Sequence, residues 1–170
     1  MANETSGNRA GSARSMSLIV TKGTLDWAYP PFSLATTAAA MGLEVTMFFT
    51  FYGLPLLLKN LDLKLSLLGN PAMKMPMMGA LMGMPNVVSM IPGVEGAAAK
   101  MMQNLMRRKG VASIQELRAL AIEADVRMIA CQMTMDLFDY SLDDMIDGPE
   151  LGGTATYIEV ATRCDINLFI

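Results

Sequence analysis

Short apolar runs alternate with longer amphipathic stretches along the chain, starting near Ser17. The runs are rich in β-branched and aromatic residues, which favour strands. Because they are apolar throughout rather than at every second position, they predict a parallel sheet that is covered on both faces. The predicted strands are SLIVT (17–21), LEVTMFFTF (43–51), VRMIAC (126–131) and INLFI (166–170).

The stretches between these runs show the spacing of amphipathic helices. Ser113 and Glu116 form a capping box at the start of one helix, and Ser141 and Asp144 repeat that pattern at a short helical turn, 141–146. The predicted helices are 27–42, 96–110, 113–125 and 152–164. This alternation predicts the α/β class, as a flavodoxin-like three-layer sandwich with a mostly parallel sheet.

Three of these helices predict the placement of particular side chains. Pro30 and Pro31 are expected in the first turn of helix 27–42, which tolerates proline, and Gly42 at its end. The buried stripe of helix 113–125 is expected to consist of Leu117, Leu120, Ala121 and Ala124. One side of helix 96–110 is expected to carry Met101, Met102, Leu105 and Met106.

Residues 67–106 interrupt the alternation with an apolar, methionine-rich segment. The part from Met75 to Val94 carries no charged residue, yet its prolines and glycines argue against a membrane-spanning helix. We therefore expect an insertion that packs on its own domain, on a partner or on a membrane surface. The predicted organisation is a disordered tail at 1–16 and a single domain at 17–170, with this insertion at about 67–106.

Composition and charge narrow the classes of function. The chain is 52% hydrophobic and has a net charge of −3, so it lacks the excess of cations that nucleic-acid binding requires. Its first fifteen residues are small and polar, with no apolar segment of the kind found in secretory signals. We expect a cytoplasmic protein, and contact with a membrane surface through the insertion is one alternative.

The chain contains no histidine, which excludes Ser-His-Asp and Cys-His catalysis and ligation of metals by imidazole. Its two cysteines, Cys131 and Cys164, are too far apart in sequence for a Cys-x-x-Cys motif, which disfavours a zinc site. In a reducing compartment both are expected to be free thiols. Chemistry in this chain therefore has to work without imidazole.

Cys131 ends a predicted strand, at the edge of the sheet where ligands and reactive groups collect. The residues after it favour a short helix, whose free N–H groups stabilise a thiolate without histidine. The alternative is a small buried apolar residue, which is common for free cysteine. Cys164 ends a predicted helix, where the dipole disfavours a thiolate, so we expect a structural or resolving thiol there.

Lys22, Gly23 and Thr24 follow the first predicted strand at the same edge. A lysine, a hydroxyl and free N–H groups can hold an anion. The alternative is an ordinary glycine turn. No nucleotide-binding glycine motif occurs in the sequence, and no cofactor is predicted.

The methionines of the insertion suggest a separate hypothesis about metal binding. Closely spaced thioethers are soft ligands that suit Cu(I). The same residues would serve equally well as an apolar lid. The candidates are Met73, Met75, Met77 and Met78.

Four segments, together with the methionine-rich insertion, resemble the DsrE/DsrF-like family, and within it the larger members that carry such an insertion. The segments are TKGTLDWAYPPF (21–32), EVTMFFTFYGLPLL (44–57), ACQMTMDLF (130–138) and DMIDGPELGGTATYIEVA (144–161). Their order and spacing make the resemblance specific, and it covers about 17–170.

The resemblance implies an α/β sandwich, assembly into oligomers and sulfur transfer as a cysteine persulfide. Members of the family hand sulfur between rhodanese-like and TusA-like carriers. The family's reactive cysteine, in its C-x-M-x-M-D motif, corresponds to Cys131, whereas no role carries over to Cys164. The leading hypothesis is a sulfur carrier or sulfurtransferase. The alternatives are a non-catalytic protein that docks a membrane or partner through 67–106, and a Cu(I)-binding protein.

Overall fold

A computed structural model describes residues 14–66, 74–77, 80–83 and 94–170 of the chain. In chain order the strands and α-helices are β1 (Ser15–Val20), α1 (Leu25–Ala40), β2 (Glu44–Phe49), β3 (Lys74–Met77), β4 (Ala80–Gly83), α2 (Val94–Arg108), α3 (Ile114–Glu123), β5 (Arg127–Cys131), α4 (Gln132–Leu137), β6 (Glu150–Gly152), α5 (Thr154–Ala161) and β7 (Ile166–Phe169). Two 3₁₀ helices, Phe51–Leu57 and Leu142–Asp144, lie in the described connections.

Five of the described strands form the central sheet, in the order β6-β5-β2-β1-β7. Every neighbouring pair in it is parallel. From β1 the chain moves outward strand by strand to β6, and it then returns to place β7 on the other side of β1. The predicted fold class is therefore confirmed, and all five strands end at the same edge of the sheet.

The two faces of the sheet bury different side chains, because successive residues of a strand point in opposite directions. One face carries the larger core, where Phe49 of β2 meets Phe32 of α1 with ring centroids 5.9 Å apart, and where α3 also packs. The other face packs against α5 through a smaller cluster of Phe48, Ile129, Cys131 and Tyr157. Cys131 therefore belongs to the α5 face.

Strand boundaries differ from the predicted ones mainly at the two ends of the sheet. β1 begins at Ser15, inside the predicted tail, because the Asp165 carboxylate accepts hydrogen bonds from the N–H groups of Arg14 and Ser15, at 2.8 and 3.1 Å. β6 was not predicted. Three residues are too few to show an alternating pattern, and the predicted helix 152–164 begins at Thr154 instead.

The two prolines of α1 lie in the interior of the helix rather than in its first turn, because α1 begins at Leu25. Each proline lacks the N–H that would bond the carbonyl four residues earlier. Those carbonyls belong to Asp26 and Trp27, which are exposed, so water can bond them. Gly42 follows α1 with a φ of +85°, in agreement with its predicted position at the end of the helix.

Both predicted capping boxes are present. At the start of α3, Glu116 N–H donates to Ser113 Oγ at 3.2 Å, and Ser113 N–H donates to the Glu116 carboxylate at 2.6 Å. Ser141 and Asp144 make the equivalent pair at the second 3₁₀ helix. Short-range patterns of this kind are readable from sequence because all of the partners lie within one turn.

The buried face of α3 differs from the predicted stripe, because Leu120 is 48% exposed whereas Arg118 is only 8% exposed. The Arg118 guanidinium donates to the carbonyl oxygens of Leu56 and Leu58, at 3.1 and 2.7 Å. These carbonyls end the 3₁₀ helix Phe51–Leu57 and need partners once buried. Burial lowers the pKa of the Arg118 guanidinium, but arginine stays charged at neutral pH.

We expect Arg118→Met to lower the free energy of unfolding by about 1–3 kcal/mol, because it removes the donor from one buried and one part-buried carbonyl. Urea denaturation followed by circular dichroism measures this loss. The control is Arg163→Met, which removes an exposed i,i+4 ion pair with Glu159. The control should cost about 0.5 kcal/mol or less. Equal losses in the two variants would contradict the role given to Arg118.

The predicted insertion is described only in part. Within it β3 and β4 pair in antiparallel fashion, and α2 follows. Ala99 is buried and Met102 packs against the larger core, while Met101 and Leu105 are about half exposed. The expected single apolar side of the helix is therefore divided between two faces. Residues 67–73, 78–79 and 84–93 lie outside the described residues, and no described helix is long and apolar enough to cross a membrane.

Candidate functional site

Cys131 is both the last residue of β5 and the N-cap of α4. This is the predicted junction, at the edge where all five strands of the sheet end. Its side chain is 2% exposed and packs with Phe48, Ile129 and Tyr157. The backbone at this residue is extended, so the chain leaves the strand and enters the helix without strain. The thiol is thus placed as expected but covered.

Two threonines flank the sulfur. Thr50 directly follows β2, which pairs with β5, and Thr134 lies in the first turn of α4. Their hydroxyl oxygens are 3.1 Å apart, and Thr134 Oγ1 also accepts the N–H of Phe51 at 3.1 Å. Thr134 is fully buried. These contacts tie α4, and with it Cys131, to the turn that follows β2.

The environment of Cys131 favours its thiolate. Burial is the largest single influence, and on its own it raises the pKa of the thiol. The adjacent hydroxyls of Thr134 and Thr50, and the N–H groups of Thr134 and Met133, act the other way and hold the pKa below its ordinary value. None of these N–H groups makes a capping bond of standard geometry to the sulfur, so they act chiefly as oriented dipoles.

The turn after β2 is unusually constrained. Phe51 has a φ of +46°, a left-handed conformation that bulky residues rarely adopt. Gly53 lies so close to the Val20 carbonyl that a Cβ there would overlap it, and a Cβ on Gly23 would overlap the carbonyl of Tyr52. The turns after β1 and β2 therefore pack backbone against backbone, which only glycine permits.

Lys22, Gly23 and Thr24 lie at the same edge as Cys131, but β2 and its turn separate them from it. Two strand spacings amount to about 10 Å. The Lys22 ammonium lies 3.3 Å from the centroid of the Trp27 ring, in a cation–π contact. Thr24 Oγ1 is a buried atom without a hydrogen-bond partner among the described residues. Support of an anion by these residues remains a prediction.

Cys164 lies far from Cys131. It lines a groove with Ser15, Glu44 and Arg127, which begin β1, β2 and β5, whereas Cys131 is at the other end of β5. The length of β5 between the two edges corresponds to about 13 Å. A disulfide needs Cα atoms about 4.4–6.8 Å apart. This separation disfavours a disulfide between the two thiols of one chain, and the structural or resolving role of Cys164 stays a prediction.

The described residues give little support for a metal site. No cluster of three or more histidine, cysteine, aspartate or glutamate side chains that could hold a metal occurs among the described residues. Of the four methionines suggested for Cu(I), Met75 and Met77 lie in β3, and Met73 and Met78 lie outside the described residues. The Cu(I) hypothesis therefore stays a prediction.

Sequence reasoning missed the threonine pair and the apolar surface beside it. Phe51, Tyr52, Met133 and Leu137 are 44–71% exposed, and we call these four residues the apolar rim. The ring of Tyr52 also stacks on that of Phe138, with centroids 6.2 Å apart, which joins the turn after β2 to α4. Exposed apolar patches of this kind mark surfaces that contact other proteins or ligands. Only the pairing of β2 with β5 could have revealed them.

Known proteins resemble this chain along nearly its whole length. Residues 12–169 match the model of the DsrE/DsrF/DrsH-like family. The sulfur carrier protein DsrE2 of Allochromatium vinosum is 54% identical over 157 residues, which cover 92% of this chain and 98% of that protein. The uncharacterized protein YrkE of Bacillus subtilis is 32% identical over 156 residues, which cover 90% of this chain and 94% of YrkE.

A solved structure has the same fold. The crystal structure of the ychN protein from E. coli superposes with a TM-score of 0.53 at 12% sequence identity, over 92% of this chain and 99% of the other. Identity this low shows the fold alone. The family model and the two sequence relatives carry the assignment further: this chain belongs to the DsrE/DsrF/DrsH-like family.

Proposed function

We propose that this protein is a sulfur carrier that holds sulfane sulfur as a persulfide on Cys131. The observation that carries the proposal is a thiol with a lowered pKa at the carboxyl edge of the sheet, in a chain 54% identical to a protein named as a sulfur carrier. A thiolate is the reactive form in sulfur exchange. The threonine pair and nearby N–H groups favour it in a chain that lacks histidine.

The chemistry is an exchange that needs no outside oxidant. The Cys131 thiolate attacks the outer sulfur of a donor persulfide, so that the new bond joins Cys131 Sγ to that sulfur. The sulfur–sulfur bond of the donor breaks, and its electron pair leaves with the donor thiolate, which takes a proton from solvent. The acceptor thiolate later repeats this attack on the Cys131 persulfide, and Cys131 leaves as the thiolate.

Burial of Cys131 sets a condition on the transfer. With 2% exposure, the thiol cannot meet a partner's sulfur unless the covering residues move. α4 is only six residues long and its outer residues belong to the apolar rim, so it is the element whose local opening would expose the sulfur. We propose that a partner carrier docks on the apolar rim and exposes the sulfur.

The partners we propose are rhodanese-like and TusA-like carriers, and we propose a homo-oligomer, as the family resemblance implies. A cytoplasmic location fits this chemistry, because free thiols persist in a reducing compartment. The alternative of a non-catalytic protein would dock a membrane or a partner through residues 67–106 and assign only a structural role to Cys131. Sulfur uptake distinguishes the two.

We expect wild-type protein to gain sulfur when it is incubated with polysulfide at neutral pH and desalted. Intact-mass spectrometry should show a gain of about 32 Da for one sulfur atom. Dithiothreitol should remove the adduct, because a thiol acceptor takes the outer sulfur. Peptide mapping should locate the adduct on Cys131. If the protein gains no mass, or if the adduct maps only to Cys164, the sulfur-carrier proposal is wrong and the docking alternative stands.

A further inference from the structure

Thr134 has a buried hydroxyl whose contacts lead away from its own helix. Threonine within a helix usually turns its hydroxyl back to a carbonyl one turn earlier. Here the oxygen lies 3.1 Å from Thr50 Oγ1 and accepts the Phe51 N–H at 3.1 Å. The hydroxyl therefore bridges α4 to the turn after β2, immediately beside Cys131.

The threonine pair has two hydroxyl protons to donate. Each hydroxyl carries one proton and can accept two hydrogen bonds. The contact between Thr50 and Thr134 uses one of the two protons, and the oxygen of Thr134 accepts the Phe51 N–H. Thr134 lies three residues after Cys131 in α4, and Thr50 continues the register in which Phe49 pairs with Ala130, so the second proton is free to reach Cys131 Sγ. When Thr50 donates to Thr134, the hydroxyl of Thr134 also becomes a stronger donor for the sulfur.

Among the described residues, no charged side chain takes part in favouring the thiolate. The influences on Cys131 are its burial and hydrogen bonds from Thr134, Thr50 and the Met133 N–H. The ionisable side chain that packs against it from α5 is Tyr157, whose hydroxyl lies 3.0 Å from Ser17 Oγ. Gly152 of β6, the register partner of Cys131, offers no polar side chain. The two threonine hydroxyls are therefore the main side-chain donors near the sulfur.

We propose that Thr134, supported by Thr50, is a positioning residue that holds a hydroxyl donor on Cys131 Sγ and makes this sulfur a better leaving group when the persulfide is passed on. The proposal rests on the proposed function, since it concerns the delivery step of the carrier. In that step the acceptor binds the outer sulfur, the sulfur–sulfur bond breaks, and its electron pair stays on Cys131 Sγ. A hydroxyl donor stabilises the charge that develops there.

The proposal predicts that delivery depends on Thr134 more than loading does. A thiol of lower pKa leaves faster, but as an attacking thiolate it is intrinsically less nucleophilic. In loading, these two consequences of the hydroxyl oppose each other, because more thiolate is present but each thiolate reacts more slowly. In delivery only the leaving-group effect operates. A residue that merely supports the fold would change both steps alike.

The test uses full-length protein with Cys164→Ser, so that Cys131 is the only thiol. Thr134→Val removes the hydroxyl at constant shape, and Thr134→Ser retains it. The matched control is Thr46→Val, a buried threonine four residues before Thr50 in β2, at the opposite end of the strand. Thiolate absorbance in the ultraviolet gives the pH midpoint of ionisation without requiring access to the sulfur. Polysulfide loading and cyanide-driven release as thiocyanate give the two rates.

We expect Thr134→Val to raise the ionisation midpoint by about one pH unit, a tenfold change in the equilibrium. Release to cyanide should slow by about three- to tenfold, with loading per protein changed about twofold or less. Thr134→Ser should restore both values, and Thr46→Val should leave both unchanged. The proposal is overturned if Thr134→Val lowers only the denaturation midpoint, or if Thr46→Val shifts ionisation equally.

If Thr134→Val does not fold, Thr50→Val takes its place. Thr50 is only half-buried, so this variant should disturb the fold less, and it removes the other hydroxyl of the pair. It should also raise the ionisation midpoint and slow release, and an unchanged midpoint would overturn the proposal. A different result decides the sulfur-carrier proposal, which is wrong if the wild type gains no sulfur adduct. In that case the ionisation midpoints still decide whether the hydroxyl pair acts on Cys131.

Discussion

Cys131→Ser should lose all detectable sulfur uptake, whereas Cys164→Ser should load as the wild type does. Sulfur exchange requires a thiolate, and a serine hydroxyl is not ionised at neutral pH. Cys164 lies at the opposite edge of the sheet from the threonine pair and the apolar rim, so its loss leaves the proposed site intact. Intact mass after polysulfide treatment and thiocyanate release by cyanide measure the same bound sulfur in two ways.

The control for this result concerns folding, because Cys131 is buried in an apolar cluster with Phe48, Ile129 and Tyr157. A serine there buries a hydroxyl, which costs about 1–3 kcal/mol without a partner. Cys131→Ala avoids this cost and should stay folded by circular dichroism while also failing to load. Sulfur retained by either variant at the level of the wild type would place the reactive thiol elsewhere and contradict the proposed site.

Local patterns predicted much of the fold. The apolar runs identified β1, β2, β5 and β7 to within a few residues, because strands that are covered on both faces are built mainly from apolar residues. The capping box of Ser113 and Glu116 marked the start of α3, since its partners lie within one turn. The end of a strand followed by a short helix similarly placed Cys131 at the correct edge.

Features that depend on the register between distant segments were not predictable. Thr50 and Thr134 are 84 positions apart and meet only because β2 pairs with β5. Arg118 looked like an exposed position of an amphipathic helix, and only the carbonyls of a distant 3₁₀ helix explain its burial. The separation of Cys164 from Cys131 likewise follows from the crossing of α5 between opposite edges, which no local pattern contains.

The burial of Cys131 and its lowered pKa are two consequences of the same packing. The contacts of Thr134 with Thr50 and Phe51 hold α4 against the turn after β2. This arrangement covers the sulfur and also brings hydroxyl and N–H donors to it. A covered persulfide reacts with small molecules only while α4 is open, so that dithiothreitol or cyanide reaches it more slowly than a docked partner does. We therefore place specificity for the partner in the residues that must move, rather than in the thiol itself.

Gly53→Ala should lower the free energy of unfolding more than any other glycine-to-alanine change at this edge of the sheet. Its Cβ would overlap the carbonyl of Val20, the last residue of β1, and backbone atoms cannot move aside as a flexible side chain can. We expect a loss of about 2–4 kcal/mol in the free energy of unfolding. Displacement of the turn should also weaken the Phe51 N–H bond to Thr134 and raise the pH midpoint of Cys131 ionisation.

The matched control is Gly153→Ala, at the same edge of the sheet, where the backbone has a φ of −101° and no atom lies within 4 Å of the added Cβ. Gly153 is the N-cap of α5, where alanine is less favourable than glycine, so this variant should lower the free energy of unfolding by about 1 kcal/mol or less. Urea denaturation measures both variants, and thiolate absorbance measures the ionisation of Cys131. If Gly53→Ala proved as stable as Gly153→Ala, the turn after β2 would be able to shift freely. A turn that shifts freely could not hold the threonine pair against the sulfur, and the thiolate would then have to rely on the N–H groups of α4 alone.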